Sequence, residues 1–357
     1  MNYTVTIEEA VAELDRFDAI IDVRSPAEFA EDHMPGALNW PVLDDQERHD
    51  VGLLYATSPF EARKLGSALV ARNIARHLET SAAGLPRTWR PLVYCWRGGQ
   101  RSGAMHWFLG QIGFRSRQLV GGYKAYRNQV RADLQTLPGR FDFRVLCGLT
   151  GCGKTRLLQA LAREGGKVLD LEALAAHRGS VLGHLPDQPQ PSQKHFDSLL
   201  WQTLRGLDPA RPVYVESESR KIGRIALPAE LLAALHSRGR PLWVAMPEAG
   251  RIALLLQDYA HFAQRTEVFC SALDALVELR GRARVAQWQA QARAGDWASV
   301  FGALIREHYD PGYGASLLRH FPALADAAPL TLADGEPATL QAAARELLQR
   351  DGTTAAA

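Results

Sequence analysis

Apolar and polar positions follow two alternating patterns along this chain. Short apolar runs at Ala19-Ile20-Ile21-Asp22-Val23 and Pro91-Leu92-Val93-Tyr94-Cys95 predict buried strands. Between them, Phe60 to Leu78 repeats its apolar residues at helical spacing. Ser102 to Ile112 predicts a helix after the second strand, and Tyr126 to Leu134 predicts another. The turn-like Leu137-Pro138-Gly139-Arg140 then interrupts the pattern. Beyond it, Phe141 to Leu149, Lys167 to Leu171, Pro212 to Glu216 and Pro241 to Ala245 predict core strands of a parallel sheet. From about Tyr259 onward the pattern is mainly helical and rich in Ala, Leu and Arg, and Asp351 to Ala357 is expected to fray. Strand and helix alternating in this way predict an α/β protein. The expected divisions are a first domain over 1–137, a second over 140–258 and a helical region over 259–357 that packs on the second.

Composition narrows the class without naming a function. At 357 residues the chain can bury two cores, and 46% apolar with 22% charged residues is ordinary for a globular protein. A net charge of +2 gives no overall attraction to polyanions, so a nucleic-acid surface has to be a local patch. The N-terminus lacks a basic segment followed by an apolar run, and no apolar stretch approaches the roughly 20 residues of a spanning helix. The expectation is a cytoplasmic protein with no membrane partner. Four cysteines, Cys95, Cys147, Cys152 and Cys270, form no C-x-x-C pair and have no zinc spacing, so they read as thiols.

The densest chemical signal is Gly148-Leu149-Thr150-Gly151-Cys152-Gly153-Lys154-Thr155, which fits the phosphate-loop pattern G-x-x-x-x-G-K-[ST] between a predicted strand and a predicted helix. Its glycines let backbone N–H groups converge on anionic oxygens, while Lys154 and the helix N-terminus supply positive charge. Gly148, Gly151, Cys152, Gly153, Lys154 and Thr155 are therefore the candidate phosphate-binding residues, with Cys152 read as a space-filler and Cys147 and Cys270 as core thiols. Glu216 and Glu218, at the end of a predicted strand, are candidates for organising a metal. The competing reading pairs them with Arg220 or Lys221. His177 and Arg178 are candidates for contacting phosphate, against a plain solvated loop.

A second signal sits at the end of the earlier strand. Cys95-Trp96-Arg97-Gly98-Gly99-Gln100-Arg101-Ser102 aims backbone N–H groups and a helix N-terminus at a sulfur, with Arg97 and Arg101 as nearby cations. Such a cradle favours a thiolate or an anionic persulfide. The segment Ile21-Asp22-Val23-Arg24-Ser25-Pro26-Ala27-Glu28-Phe29, followed by His33-Met34-Pro35-Gly36-Ala37-Leu38-Asn39-Trp40-Pro41, resembles the opening signature of rhodanese-homology domains. In those domains the catalytic cysteine occupies an anion-cradling loop after a later strand, the place held here by Cys95. The loop is one residue longer than the usual sulfurtransferase loop, a length that also resembles dual-specificity phosphatases.

Together, CWRGGQRSG at Cys95–Gly103, GLTGCGKT at Gly148–Thr155, LEALAAHRGSVLG at Leu171–Gly183, QPSQKHFD at Gln190–Asp197 and VESESRKIG at Val215–Gly223 are similar to the bacterial tRNA 2-selenouridine synthase family. Arg251 to Tyr259 and His308-Tyr309-Asp310-Pro311 add to the likeness. The resemblance implies a rhodanese-like domain followed by a P-loop NTPase-like parallel-sheet domain with a helical C-terminal part. It implies conversion of wobble 2-thiouridine in tRNA to 2-selenouridine, through S-geranylation from geranyl diphosphate and then selenation from selenophosphate carried by Cys95. Selenophosphate and geranyl diphosphate are then co-substrates, and a selenophosphate-supplying enzyme is a partner. No tightly bound cofactor is expected, magnesium at Thr155 is compatible with the loop, and the metal requirement stays open.

For the RNA, Phe114 to Ala132 carries Arg115, Arg117, Lys124, Arg127 and Arg131 with no acidic residue, and Tyr123 and Tyr126 lie among them. Cations on phosphates with an aromatic on an unpaired base would grip a tRNA loop, while the competing reading is a solvated basic face. Arg280-Gly281-Arg282-Ala283-Arg284 is a second candidate patch. Three other functions compete: an ATP-coupled sulfurtransferase, a Cys-dependent phosphatase, and a nucleotide-gated redox sensor that is not an enzyme.

Overall fold

In the computed structural model, which describes residues 4–352, the chain divides into two compact units. The first holds the residues up to Asp133 together with Pro191–Gln202, and the second holds Leu134–Gln190 and the chain from Thr203 onward.

The first unit is built on a five-stranded parallel sheet in the order β1-β5-β4-β2-β3. The strands are β1 (Thr4–Val5), β2 (Ala19–Asp22), β3 (Ala37–Asn39), β4 (Pro91–Tyr94) and β5 (Arg117–Leu119). β2 and β4 are the apolar runs predicted above, in register with Ile21 opposite Val93. Helices Pro59–Thr80 and Gln100–Ile112 help bury Ile21, Val23, Val93, Met105 and Leu109, together with Trp40, Trp89 and Phe114. A capping box starts helix Pro26–Glu31, with Ser25 and Glu28 satisfying each other's end groups and Pro26 at the first position.

The second unit has a five-stranded parallel sheet in the order β12-β11-β6-β8-β7. Its strands are β6 (Phe143–Cys147), β7 (Lys167–Leu169), β8 (Val213–Glu216), β11 (Arg240–Ala245) and β12 (Leu330–Thr331), and β9 (Lys221–Ile222) with β10 (Ile225–Ala226) form a separate antiparallel pair. β6 lies in the middle of the sheet, so the loop at its C-terminal end opens where parallel sheets place ligands. Helix Lys154–Arg163 follows that loop and packs Leu157, Leu158 and Leu161 against Leu340, Ala344 and Leu347 of helix Pro337–Arg350. The C-terminal part is mainly helical, with one exception: β12 adds an edge strand beside β11. A second cluster in this unit gathers Phe262, Phe269, Leu273, Trp288, Val300 and Phe301.

The fraying expected from Asp351 onward is corrected at its first residue. Asp351 accepts from Arg144 Nε at 3.0 Å and from the Tyr214 hydroxyl at 2.6 Å, which fixes the end of the last helix on the sheet. The rest of that expectation, from residue 353, lies outside the described residues. Among the described residues no helix is long and apolar enough to cross a membrane.

Candidate active sites

Each unit carries its own loop between a parallel strand and a helix. In the first unit, β4 ends at Tyr94 and Cys95 begins the turn into helix Gln100–Ile112. The chain passes through Gly98 at φ +65°, and Gly122 at φ +55° lies so close that a Cβ there would sit 2.1 Å from the Cys95 carbonyl. Only glycine allows that approach. Tyr123 N–H donates to the Cys95 carbonyl at 2.8 Å and Lys124 N–H to that of Trp96 at 3.0 Å. With these carbonyls held outward, the loop can turn its N–H groups inward. Gly99 caps the helix without a side-chain hydrogen bond, so the first turn keeps its own N–H groups for an anion.

The Cys95 sulfur is 4% exposed and accepts from the Ser102 hydroxyl at 3.2 Å. Gln118 Nε2 in turn donates to Ser102 Oγ at 3.0 Å and to the Gly98 carbonyl at 2.7 Å, while the Ser102 hydroxyl is shared between the sulfur and the Gly99 carbonyl at 3.3 Å. The two arginines differ. Arg97 is exposed, whereas Arg101 is half-buried and paired with Glu28 at 3.1 Å. Beneath the loop Arg24 and Asp22 form a buried pair, with Arg24 also donating to the Asp32 carbonyl at 2.6 Å.

In the second unit, Gly148 touches the Val244 carbonyl, Gly151 takes φ +79°, and Gly153 at φ +84° starts the helix. Cys152 is buried in the core cluster of this unit. Cys147 is buried too, and burial pushes its thiol up to about 12. Cys270 lies in the second core cluster. Lys154 Nζ donates to the Gly148 carbonyl at 2.9 Å. Burial opposes its charge, but Cys152, Tyr313, Glu216 and Glu218 more than offset that and hold it protonated.

A cavity of about 180 Å³ opens above this loop. Thr150, Lys154, Thr155 and Arg156, the carboxyls of Glu172, Glu216 and Glu218, and Leu255, Tyr259, Tyr309 and Tyr313 line it, with Lys154 Nζ 5.4 Å from the Tyr313 ring centroid. Glu216 is 5% exposed and its Oε1 finds no partner, so an unsatisfied carboxylate oxygen is buried beside the phosphate loop. Burial first, and mutual repulsion second, raise the carboxyls of Glu218 and Glu172 well above the ordinary range. Burial raises Glu216 as well, against the pull of Lys154 and a hydrogen bond from Thr155. Among the described residues neither Glu216 nor Glu218 pairs with Arg220 or Lys221. No group of three or more His, Cys, Asp or Glu has metal-holding geometry there. A magnesium ion would therefore lean on Thr155, Glu216 and ligand oxygens rather than a protein cage.

Two predicted contacts are redistributed. Arg178 lines the cavity, donating to the Asp258 carbonyl at 2.7 Å with its guanidinium over the Tyr259 ring. His177 does not reach the cavity. It is 2% exposed, packs edge-on to His184, and accepts from Gly179 N–H at 3.1 Å. Burial, helped by His184, pushes it down to about 4, so it is neutral and structural.

The basic stretch also changes. Arg115, Arg117, Lys124 and Arg131 are exposed. Tyr126 is fully buried edge-on against Trp201, and Tyr123 is buried with its hydroxyl on Asp32 at 2.7 Å, so neither ring can receive a base. Arg127 is committed to Asp197 and to the Lys194 carbonyl. In the second patch Arg280 donates to His308 and Arg284 pairs with Glu307, which leaves Arg282 as its exposed cation.

Sequence reasoning missed Glu172, Tyr259, Tyr309, Tyr313 and the pair Arg251–Asp310 as parts of the cavity region. Arg251 is buried, forks onto Asp310 at 2.9 and 2.6 Å, and donates from Nε to the Thr150 carbonyl at 2.9 Å.

Comparison with known proteins matches both units. The tRNA 2-selenouridine synthase AAA domain family matches residues 141–276, and the rhodanese-like domain family matches residues 6–129. A tRNA 2-selenouridine synthase of Nitrosomonas europaea is 35% identical over 263 residues, spanning 72% of this chain and 68% of that protein. The one of Verminephrobacter eiseniae is 34% identical over 332 residues, spanning 82% of this chain and 87% of that protein. The one of Bdellovibrio bacteriovorus is 37% identical, and the match spans 64% of its length. Among solved structures, a rhodanese-like domain protein from Staphylococcus aureus is 18% identical, spans 35% of this chain and 91% of its own, and gives a TM-score of 0.23.

Proposed function

Because the chain belongs to the tRNA 2-selenouridine synthase family, we propose that it exchanges sulfur for selenium at carbon 2 of a wobble 2-thiouridine, using geranyl diphosphate and then selenophosphate. Family membership makes it a tRNA-modifying enzyme with a rhodanese-like domain and a phosphate-loop domain. The observation that carries the finer reading is that the phosphate cavity joins a cationic loop to an aromatic wall, while the other unit holds a sulfur in a separate anion cradle.

In the first step the thione sulfur attacks carbon 1 of the geranyl group. The C–O bond breaks as the C–S bond forms, its electron pair leaves with pyrophosphate, and the N3 proton of the base goes to solvent. Lys154, Thr155 and the loop N–H groups would stabilise the charge on the departing pyrophosphate, and magnesium, when bound, would neutralise more of it. In the second step carbon 2 exchanges its bond to sulfur for one to selenium and releases geranyl thiol. Selenophosphate with water supplies the selenium and yields phosphate. The selenium, already at the selenide level, bonds to carbon 2 as the C–S bond breaks, and water then cleaves the P–Se bond. Cys95 is assigned to this step without an S–Se bond, its loop at Gly98–Gln100 and Ser102 holding the anionic donor against carbon 2. The substrate tRNA and the enzyme that makes selenophosphate are the partners of this reading, all in the cytoplasm.

The test is incubation of the chain with thiolated tRNA and geranyl diphosphate, followed by nucleoside mass spectrometry before and after adding selenophosphate. A geranyl adduct that converts to selenouridine is the expected result. ATP turnover with unchanged RNA would instead favour an ATP-coupled activity and overturn the proposal.

A further inference from the structure

The residues from Ile305 to Tyr313 join the phosphate cavity in a way that the two-step reading leaves unused. Helix Trp297–Leu304 runs into a π-helical turn at Ile305–Tyr309 and continues as helix Asp310–His320. A π turn rotates the side chains that follow it out of the ordinary helical series, and such turns gather at functional sites. Here Tyr309 and Tyr313 line the cavity, while Asp310 grips Arg251.

The tyrosines offer ring surface rather than hydroxyls. Tyr313 donates its proton to the Ser217 carbonyl at 2.8 Å, between the cavity carboxylates Glu216 and Glu218. The Tyr259 hydroxyl meets Ser180 Oγ at 3.3 Å. Tyr259 is also backed by Phe262 and Phe301, stacked at 5.9 and 5.7 Å between centroids. With Leu255 these rings supply the apolar part of a lining that is otherwise charged, Lys154 Nζ lying 5.4 Å from the Tyr313 ring centroid and the Arg178 guanidinium 5.4 Å from that of Tyr259. A ligand that suits both has an anionic head and a hydrocarbon tail. A nucleotide base would need hydrogen-bond partners along its edge, and the Tyr259 and Tyr313 hydroxyls are already engaged.

We propose that Ile305–Tyr313 forms the specificity wall of the cavity: Tyr309 and Tyr313, with Tyr259, hold the hydrocarbon chain of a prenyl diphosphate, and Asp310, acting through Arg251, is a positioning residue for the phosphate loop. This rests on the diphosphate reading of that loop. The ring faces also suit the positive charge that develops on an allylic carbon as pyrophosphate departs. The Arg251 fork fixes the Thr150 carbonyl, and with it the turn that presents the loop N–H groups.

The experiment is calorimetry on the full chain with inorganic pyrophosphate, geranyl diphosphate and ATP, supported by the rate of geranyl transfer. The wild type should prefer geranyl diphosphate to pyrophosphate by at least about tenfold, since each buried methylene adds to affinity. Tyr309→Ala and Tyr313→Leu should erase most of that ratio, Tyr309→Ala with pyrophosphate affinity held within about twofold, and Tyr309→Phe should keep it. Asp310→Asn should weaken both ligands alike and stay low in kcat at saturating geranyl diphosphate, whereas Tyr309→Ala recovers its kcat there and Asp310→Glu partly restores Asp310→Asn. An unchanged ratio in both tyrosine variants, or tyrosine-dependent ATP binding with no geranyl preference, overturns the wall. Wild-type kcat in Asp310→Asn at saturation overturns the positioning role. Failure of the underlying diphosphate reading looks different: the wild type then binds neither pyrophosphate nor geranyl diphosphate.

Discussion

The two loops share a topology and divide sharply in how they handle charge. Both follow a parallel strand and open onto a helix N-terminus. Around Cys95 the work is done by backbone: glycines at 98 and 122 permit close approach, Tyr123 and Lys124 N–H groups take up the loop carbonyls, and Ser102 faces the sulfur. Its half-buried cation, Arg101, is already matched by Glu28. Around Lys154 the work is done by side chains, with Lys154, Arg156 and Arg178 lining the same cavity as Glu172, Glu216 and Glu218. A charge on sulfur can therefore settle into the first loop with little rearrangement. An incoming diphosphate at the second has to meet carboxylates that compete for the same lysine, unless protons or a cation accompany it.

The largest expected effects separate the loops by reaction step. Cys95→Ser should abolish selenation and leave geranylation near the wild-type rate, because the thiol acts only in the second step. Lys154→Ala should slow geranylation by about 10²–10³, the usual cost of removing one preorganised charge from a developing anion. That variant should still select selenium when supplied with S-geranyl tRNA. Nucleoside mass spectrometry reads both steps, and a shared defect in the two variants would erase the division of labour.

A smaller effect concerns protons. The folded-state carboxyls of Glu216, Glu218 and Glu172 are raised, burial being the largest cause, so the folded protein holds more protons than the unfolded chain above the ordinary carboxylate value of 4.5. Their contribution is most favourable below that value and is lost as pH rises through neutrality. Glu172→Gln should therefore gain melting temperature over the wild type as pH is raised from 5 to 8. Pyrophosphate affinity should follow the same sign, falling less steeply with pH in the variant. Parallel melting curves for the two proteins across that range would show that Glu172 ionises normally.

How far these sites could be read from sequence depends on how local their causes are. β2, β4, β6 and β8 declare themselves as apolar runs because each is buried from end to end or nearly so, and β11 does so by its apolar composition although only Val244 is fully buried. β1, β3, β5 and β12 are two or three residues long, each with an exposed position, so no periodicity could establish. The glycine pattern of the phosphate loop is local and was legible. The aromatic lining was less so: Arg251–Tyr259 and His308–Pro311 stood out only through the family likeness, and nothing local in either segment says that Tyr259, Tyr309 and Tyr313 share a cavity with that loop. Tyr126 is a different case. Tyr123, Tyr126, Val130 and Leu134 repeat at helical spacing and all are buried, a core stripe that the surrounding cations masked.

That correction sets the smallest and most discriminating prediction, on the basic stretch itself. Arg115, Arg117, Lys124 and Arg131 are exposed, whereas Arg127 is held by Asp197 and the Lys194 carbonyl within the first unit. If the exposed set meets tRNA phosphates, replacing Arg115 and Arg117 by Ala should flatten the log–log salt dependence of binding by about 0.7–0.9 per lost contact. Arg127→Ala should leave that slope alone and instead lower stability by about 1–3 kcal/mol, because a charged hydrogen-bond partner is removed and Asp197 is left half-buried. Tyr126→Ala should likewise act on stability through its packing on Trp201, with no change in RNA affinity beyond the folded fraction. Filter binding over a salt series, read beside thermal melts, distinguishes the two kinds of residue on one stretch of chain. A salt slope that moves with Arg127 and not with Arg115 and Arg117 would mean that the pair with Asp197 opens to receive RNA, and the phosphate contacts would then belong to the buried arginine.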